Sequence, residues 1–142
     1  MRTPSFLFIA PLATLLAGCV NDTASYRIAG SDHSLTLRVV QDAFWSKQAS
    51  LRLTATRLPE CQRQFALGEV ALAGMEVELF ESGPNVYTLR AGEDAWQVET
   101  ASCSERDAPE ADAVGGQALG VFHLDAQGKL VFEAAGTASA ET

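Results

Sequence analysis

Ser34-Leu35-Thr36-Leu37-Arg38-Val39 alternates polar and apolar side chains with a period of two. Successive side chains on a strand point to opposite faces, so Leu35, Leu37 and Val39 share one side while Thr36 and Arg38 share the other. The alternation returns at Ser50-Leu51-Arg52-Leu53-Thr54-Ala55-Thr56. Between these two half-buried strands, Gln41 to Gln48 is expected either to close an antiparallel hairpin or to hold one helical turn. Working outward from this pair, the chain keeps repeating the same device.

Further strands are expected at Glu76 to Glu81 with Val77 and Leu79 inward, at Val86 to Arg90 with Tyr87 and Leu89 inward, and at Ala95 to Thr100 with Trp96 and Val98 inward. Turn residues separate them: Ser82-Gly83-Pro84-Asn85, then Gly92-Glu93-Asp94. A last hairpin pairs Val121 to Leu124 with Lys129 to Glu133 around Asp125-Ala126-Gln127-Gly128. About seven short strands, with no sustained apolar pattern of helical period, predict an all-β fold, a small antiparallel sandwich or barrel. Trp45, Trp96, Tyr87 and the phenylalanines are assigned to its core, because strand aromatics normally supply burial. Two segments fall outside the pattern. Ser104 to Ala118 reads as a long acidic loop, a solvated connection rich in Ala, Pro and Gly, and residues 134–142 read as a frayed tail.

The N-terminus carries a different signal. Arg2 precedes an apolar stretch from Phe6 to Leu16, broken by Pro11, that is too short to span a bilayer but suits a secretory leader. Leu16-Ala17-Gly18-Cys19 then resembles the lipobox of bacterial lipoproteins. That resemblance implies that residues 1–18 are a signal peptide, that Cys19 carries a diacylglyceryl thioether and a further acyl group such as palmitate, and that this double anchor is effectively permanent. In the same family an Asp after the lipidated Cys favours the inner membrane. Here Val20 follows, so the expected location is the outer membrane, facing the periplasm. Residues 19–32 are read as the lipidated N-terminus and a tether, with Tyr26 to Ile28 able to form a short first strand, and residues 33–133 as the β domain.

Composition narrows the function classes. Without the leader the chain holds 18 acids against 9 bases, a net charge of about −9, with no cluster of Lys and Arg. Phosphate neutralisation needs such clusters, so nucleic acid is not an expected partner. Once Cys19 is lipidated, Cys61 and Cys103 remain; in an oxidising compartment they are expected to form one disulfide rather than to act as nucleophiles. His123 and Asp125 lie two apart and are too few to hold a metal, and His33 is read as an exposed residue beside the tether. Gly115 and Gly120 have the spacing of a phosphate loop, but Val121 and Phe122 stand where that motif needs Lys and Ser or Thr. Glu76 and Glu78 are the outward residues of one strand. No G-x-S-x-G occurs, and no cofactor is expected.

The leading expectation is a non-enzymatic lipoprotein held at the membrane by its anchor, acting as a binding or structural module on another envelope protein. Glu105, Asp107, Glu110 and Asp112 are its candidate binding surface. The second is an inhibitor of host lysozyme, which an acidic domain would attract. Ser82 to Tyr87 gives a Ser-Gly loop before an aromatic residue and so resembles the loop of membrane-bound lysozyme inhibitors, from which it departs by Pro84, Asn85 and one extra residue. An envelope hydrolase is the third.

Overall fold

The structure, a computed structural model, describes residues 19–136. The expected leader, residues 1–18, and residues 137–142 of the expected tail lie outside the described residues. The fold is all-β: two antiparallel sheets packed as a sandwich and joined by one disulfide. The first sheet is a four-stranded meander of β1 (Asn21–Ala29), β2 (His33–Val40), β3 (Gln48–Arg57) and β4 (Cys61–Ala71) in that spatial order. The second holds β5 (Glu76–Gly83), β6 (Val86–Ala91), β7 (Asp94–Glu99), β8 (Ser104–Arg106), β9 (Gln117–Leu124) and β10 (Leu130–Ala134), ordered β10-β9-β5-β6-β7-β8.

The period-two stretches set the core. Register pairs Leu35 with Ala55, Leu37 with Leu53 and Val39 with Leu51, and all six side chains are buried. Directly opposed residues share a face, so one correctly placed pair commits the whole strand to the same side. From the second sheet Val77, Leu79, Leu89, Val98 and Phe122 close on them with no exposed surface. Full burial of each such side chain stabilises the fold by about 1.5–3 kcal/mol before conformational entropy is set against it.

Several expectations are corrected. The stretch expected to be a tether forms β1 over nearly its whole length, because its alternate residues Asp22, Ala24, Tyr26 and Ile28 face inward beside β2 and give it a half-buried face. Asp22 Oδ2 accepts from the Leu130 backbone N–H at 3.0 Å, and the Tyr26 and Phe132 rings lie 5.3 Å apart, so β1 also meets β10 across the sandwich. β4 was not expected at all. Its inward residues Phe65 and Leu67 are buried, but a bulge at Leu67–Gly68 interrupts the alternation. The tail begins later than expected, since Ala134 closes β10 and Ala135 donates its N–H to the Leu119 carbonyl. Trp45 and Phe44 leave the core and stand exposed, whereas Trp96 is half-buried against it as expected.

Topology also corrects the acidic loop. β8 and β9 lie four strand positions apart in the second sheet, which is about 19 Å at the usual spacing. The connection must therefore cross β7, β6 and β5, and it does so as a strap on the outer face. The Arg90 guanidinium donates to the Ala111 carbonyl at 3.0 Å, and the Ser82 hydroxyl donates to the Gly115 carbonyl at 3.1 Å. Residues 104–106 are strand and Ala111–Ala113 form one 3-10 turn.

Candidate functional site

The two ends of the sandwich differ in what they present. At one end the turns between β1 and β2, β3 and β4, and β5 and β6 gather around the disulfide. Cys61, at the start of β4, bonds to Cys103 in the turn between β7 and β8, with Cα atoms 5.9 Å apart. The bridge therefore staples the free edge of the first sheet to the far edge of the second. Closing a segment of 42 residues stabilises the fold by about 4 kcal/mol in the chain-entropy description.

Polar side chains complete this end. Glu99, only 7% exposed, accepts from the Ser102 hydroxyl at 2.6 Å and from the backbone N–H groups of Ala101 and Ser102. These donors, the Ser102 hydroxyl foremost, hold its carboxyl below the usual carboxylate range. The cradle shapes the turn that delivers Cys103. His33, expected to be exposed, is half-buried on β2 with Nε2 3.1 Å from the Thr100 hydroxyl. Burial and then the Arg57 guanidinium keep its pKa below 6.5.

The opposite end carries Cys19. Its thiol is exposed and unbridged, and only Val20 separates it from β1. Val20 is already part of the fold: its N–H donates to Gln41 Oε1 at 3.1 Å and its carbonyl accepts from the Gln41 N–H at 2.7 Å. Gln41 is buried, and its amide also donates to the Ser46 carbonyl at 2.7 Å and the Phe44 carbonyl at 3.4 Å. One side chain thus ties the segment after Cys19 to the β2–β3 loop. That loop displays Phe44 at 64% and Trp45 at 73% exposure, their rings edge to face at 4.8 Å. Reading strand aromatics as core missed this pair because it lies in a loop.

The candidate acidic surface is displayed on the outer face of the second sheet. Glu105 lies on β8, Asp107, Glu110 and Asp112 on the strap, and all four side chains are exposed. Among the described residues none of the four forms an ion pair. Beneath the strap, Arg90 pairs with Glu78 at 2.5 Å and lies over the Phe80 ring, while fully buried Thr88 shares hydrogen bonds with Ser82 and Gln97.

The remaining candidates have local partners. His123 Nε2 lies 3.2 Å from Glu133 on the neighbouring strand. Asp125 sits past the end of β9, not on the strand, and its carboxylate accepts from the Gln127 and Lys129 N–H groups at 2.9 Å each, so it shapes the last hairpin turn. Among the described residues no three His, Cys, Asp or Glu side chains converge as metal ligands. Of the two glycines with phosphate-loop spacing, Gly120 has a packing reason, since a side chain there would collide with the Phe132 ring and the Glu133 carbonyl, whereas Gly115 faces open space; its neighbour Gly116 is the constrained one, against the Glu81 carbonyl. No helix among the described residues is long and apolar enough to cross a membrane. Compared with protein-family profiles, with curated proteins and with solved structures, the chain matches none.

Proposed function

We propose that this chain is a non-enzymatic envelope lipoprotein: a disulfide-stapled β sandwich anchored through acylated Cys19 to the outer membrane, where it binds or supports another envelope protein. The observation that carries the reading is the Leu16-Ala17-Gly18-Cys19 pattern, which ends on an exposed thiol one residue ahead of the folded domain. A thiol there is the nucleophile that lipid transfer requires, and exposure lets an enzyme reach it. Two or more acyl chains then hold an acidic domain that would otherwise have little affinity for a bilayer.

The test is Cys19→Ser in cells. The variant is expected to lose processing before residue 19 and to accumulate as an unlipidated precursor with residues 1–18 still attached, whereas the natural protein is cut there, stays bound through a high-salt wash and carries the mass of the acyl groups on its N-terminal peptide. Processing at the same bond with retained membrane binding would refute the assignment. Crosslinking in intact envelopes then identifies the partner.

One observation favours lysozyme inhibition as a second reading: Glu105 on β8 and Asp107, Glu110 and Asp112 on the strap that follows, itself pinned, stand exposed and, among the described residues, without ion pairs. A preorganised acidic surface accelerates encounter with a basic enzyme, and the effect falls as salt rises. Titrating lysozyme with the domain decides the matter. Inhibition that is lost on replacing the four carboxylates by amides would support it, and full lysozyme activity at large molar excess would leave the binding module as the reading.

A further inference from the structure

We propose that the Phe44–Trp45 loop is a second, non-covalent membrane contact, seated in the interfacial layer of the leaflet that receives the Cys19 acyl chains. The inference rests on the lipoprotein reading and adds to it an orientation: the domain lies against the bilayer on one end and does not hang from a tether.

Three observations converge on this end of the molecule. First, there is no spacer. An extended tether of thirteen residues would have allowed a reach of roughly 40 Å, but β1 begins at Asn21 and Val20 is bonded through both its backbone groups to Gln41. An acyl group on Cys19 therefore leaves the fold beside the β2–β3 loop. Second, among the described residues the large hydrophobic side chains most exposed to solvent are Trp45 and Phe44 of that same loop. Third, the loop is built to hold them out. Gln41 accepts and donates as described above, Ser46 N–H donates to the Ala43 carbonyl at 2.9 Å, the Ser46 hydroxyl donates to the Gln48 carbonyl at 3.0 Å, and the Lys47 carbonyl accepts from Leu72 N–H at 2.9 Å. Two aromatic rings held rigidly in water are unfavourable unless something covers them.

The interfacial layer of a bilayer suits this pair. Trp is enriched at that depth because its ring is apolar while its indole N–H keeps a polar partner, and a ring held at the surface by acyl chains needs only a favourable transfer, not enough affinity to recruit the protein by itself. The loop's charge permits it: Asp42 and Lys47 balance. At the same end, but on the second sheet's side, stand the exposed carboxylates Glu76, Glu93 and Asp94. They oppose anionic headgroups, so the molecule tilts onto the corner of the first sheet and the contact is strongest with zwitterionic lipid.

The test uses the natural acylated protein in phosphatidylcholine vesicles whose lipids carry bromine at defined chain depths. Trp45 is read alone in a Trp96→Phe background, or, if that variant folds poorly, as the difference between the natural protein and Trp45→Phe. Expected are a blue-shifted Trp45 emission, quenching that is strongest for the shallowest bromines, and loss of quenching by aqueous acrylamide. The N-terminal peptide is weighed in the same sample. If Cys19 carries its acyl groups and the protein sediments with vesicles, yet Trp45 remains open to acrylamide and untouched by bromine, the loop contact is overturned and the anchor stands. An unacylated Cys19 overturns the lipoprotein reading and the loop contact with it. Acrylamide protection that persists without lipid and grows with protein concentration overturns the bilayer in favour of a contact between copies of the chain.

Discussion

The two sheets of the sandwich are built on different plans. The first is a meander in which each strand pairs with its sequence neighbour, so that residues 20–71 fold back and forth in order. The second interleaves β9 and β10 outside β5, and it needs a strap across its outer face to do so. Charge follows the same division. Residues 19–71 hold five carboxylates against six bases, whereas 72–136 hold twelve against three. The acidic character of the chain is therefore a property of one sheet and its strap. Local pairing is made by short loops at small entropic cost, while the non-local pairing of β5 with β9 requires a long closure that other contacts must offset.

Removing the bridge tests whether the two plans share one stability. Replacing Cys61 and Cys103 together by Ala is expected to lower unfolding free energy by about 4 kcal/mol. Because one core serves both sheets, denaturant should still melt the variant in a single transition. Two separated transitions by fluorescence and circular dichroism would mean that the sheets are independent units.

A Gly116→Ala substitution acts on the strap alone. The added Cβ meets the Glu81 carbonyl, and the backbone at φ +107° disfavours any L side chain. A cost of about 1–3 kcal/mol is expected, with faster amide exchange in the strap and in β9. Exchange in β2 and β3 should change least, and equal loosening of the first sheet would break the comparison.

Smaller still is Ser82→Ala, which removes the hydroxyl that joins Thr88 to the Gly115 carbonyl. A loss of about 1 kcal/mol is expected. Thermal melts of Ser82→Ala, alone and with Gly116→Ala, should show less than additive costs, since both loosen the same strap.

The smallest effect is one of pH, at the end where the sheets meet. His33 has a folded pKa below its unfolded value of 6.5, so the unfolded chain binds the proton more readily. Its contribution is present in full above pH 6.5 and is lost as pH falls from there toward the folded pKa. Glu99 also has a lowered pKa, so its contribution is present above 4.5 and fades as pH falls through the folded value. Melting temperatures of the natural protein and of His33→Asn are expected to converge between pH 7.5 and pH 5.5. Parallel curves would remove His33 from this role.

Much of this architecture was legible residue by residue. Leu35, Leu37, Val39, Leu51, Leu53 and the hairpin 121–133 declared their faces, because a strand's period of two needs only local sequence to be seen. The disulfide followed from counting thiols once Cys19 was set aside. β4 escaped notice because Gln62, Arg63 and Gln64 present no apolar alternation and the bulge at Gly68 shifts its phase. β1 read as a tether because its small and polar residues become half-buried only beside β2 and β10. The sequence alone determined the strand faces, the acidic balance and the two pairable cysteines, all of which depend on residue type and spacing. Strand order, the conversion of an acidic loop into a pinned strap and the exposure of Phe44 and Trp45 beside Cys19 were decided only by tertiary structure. They depend on which segments distant in the chain share hydrogen bonds and buried surface, and periodicity carries no record of that.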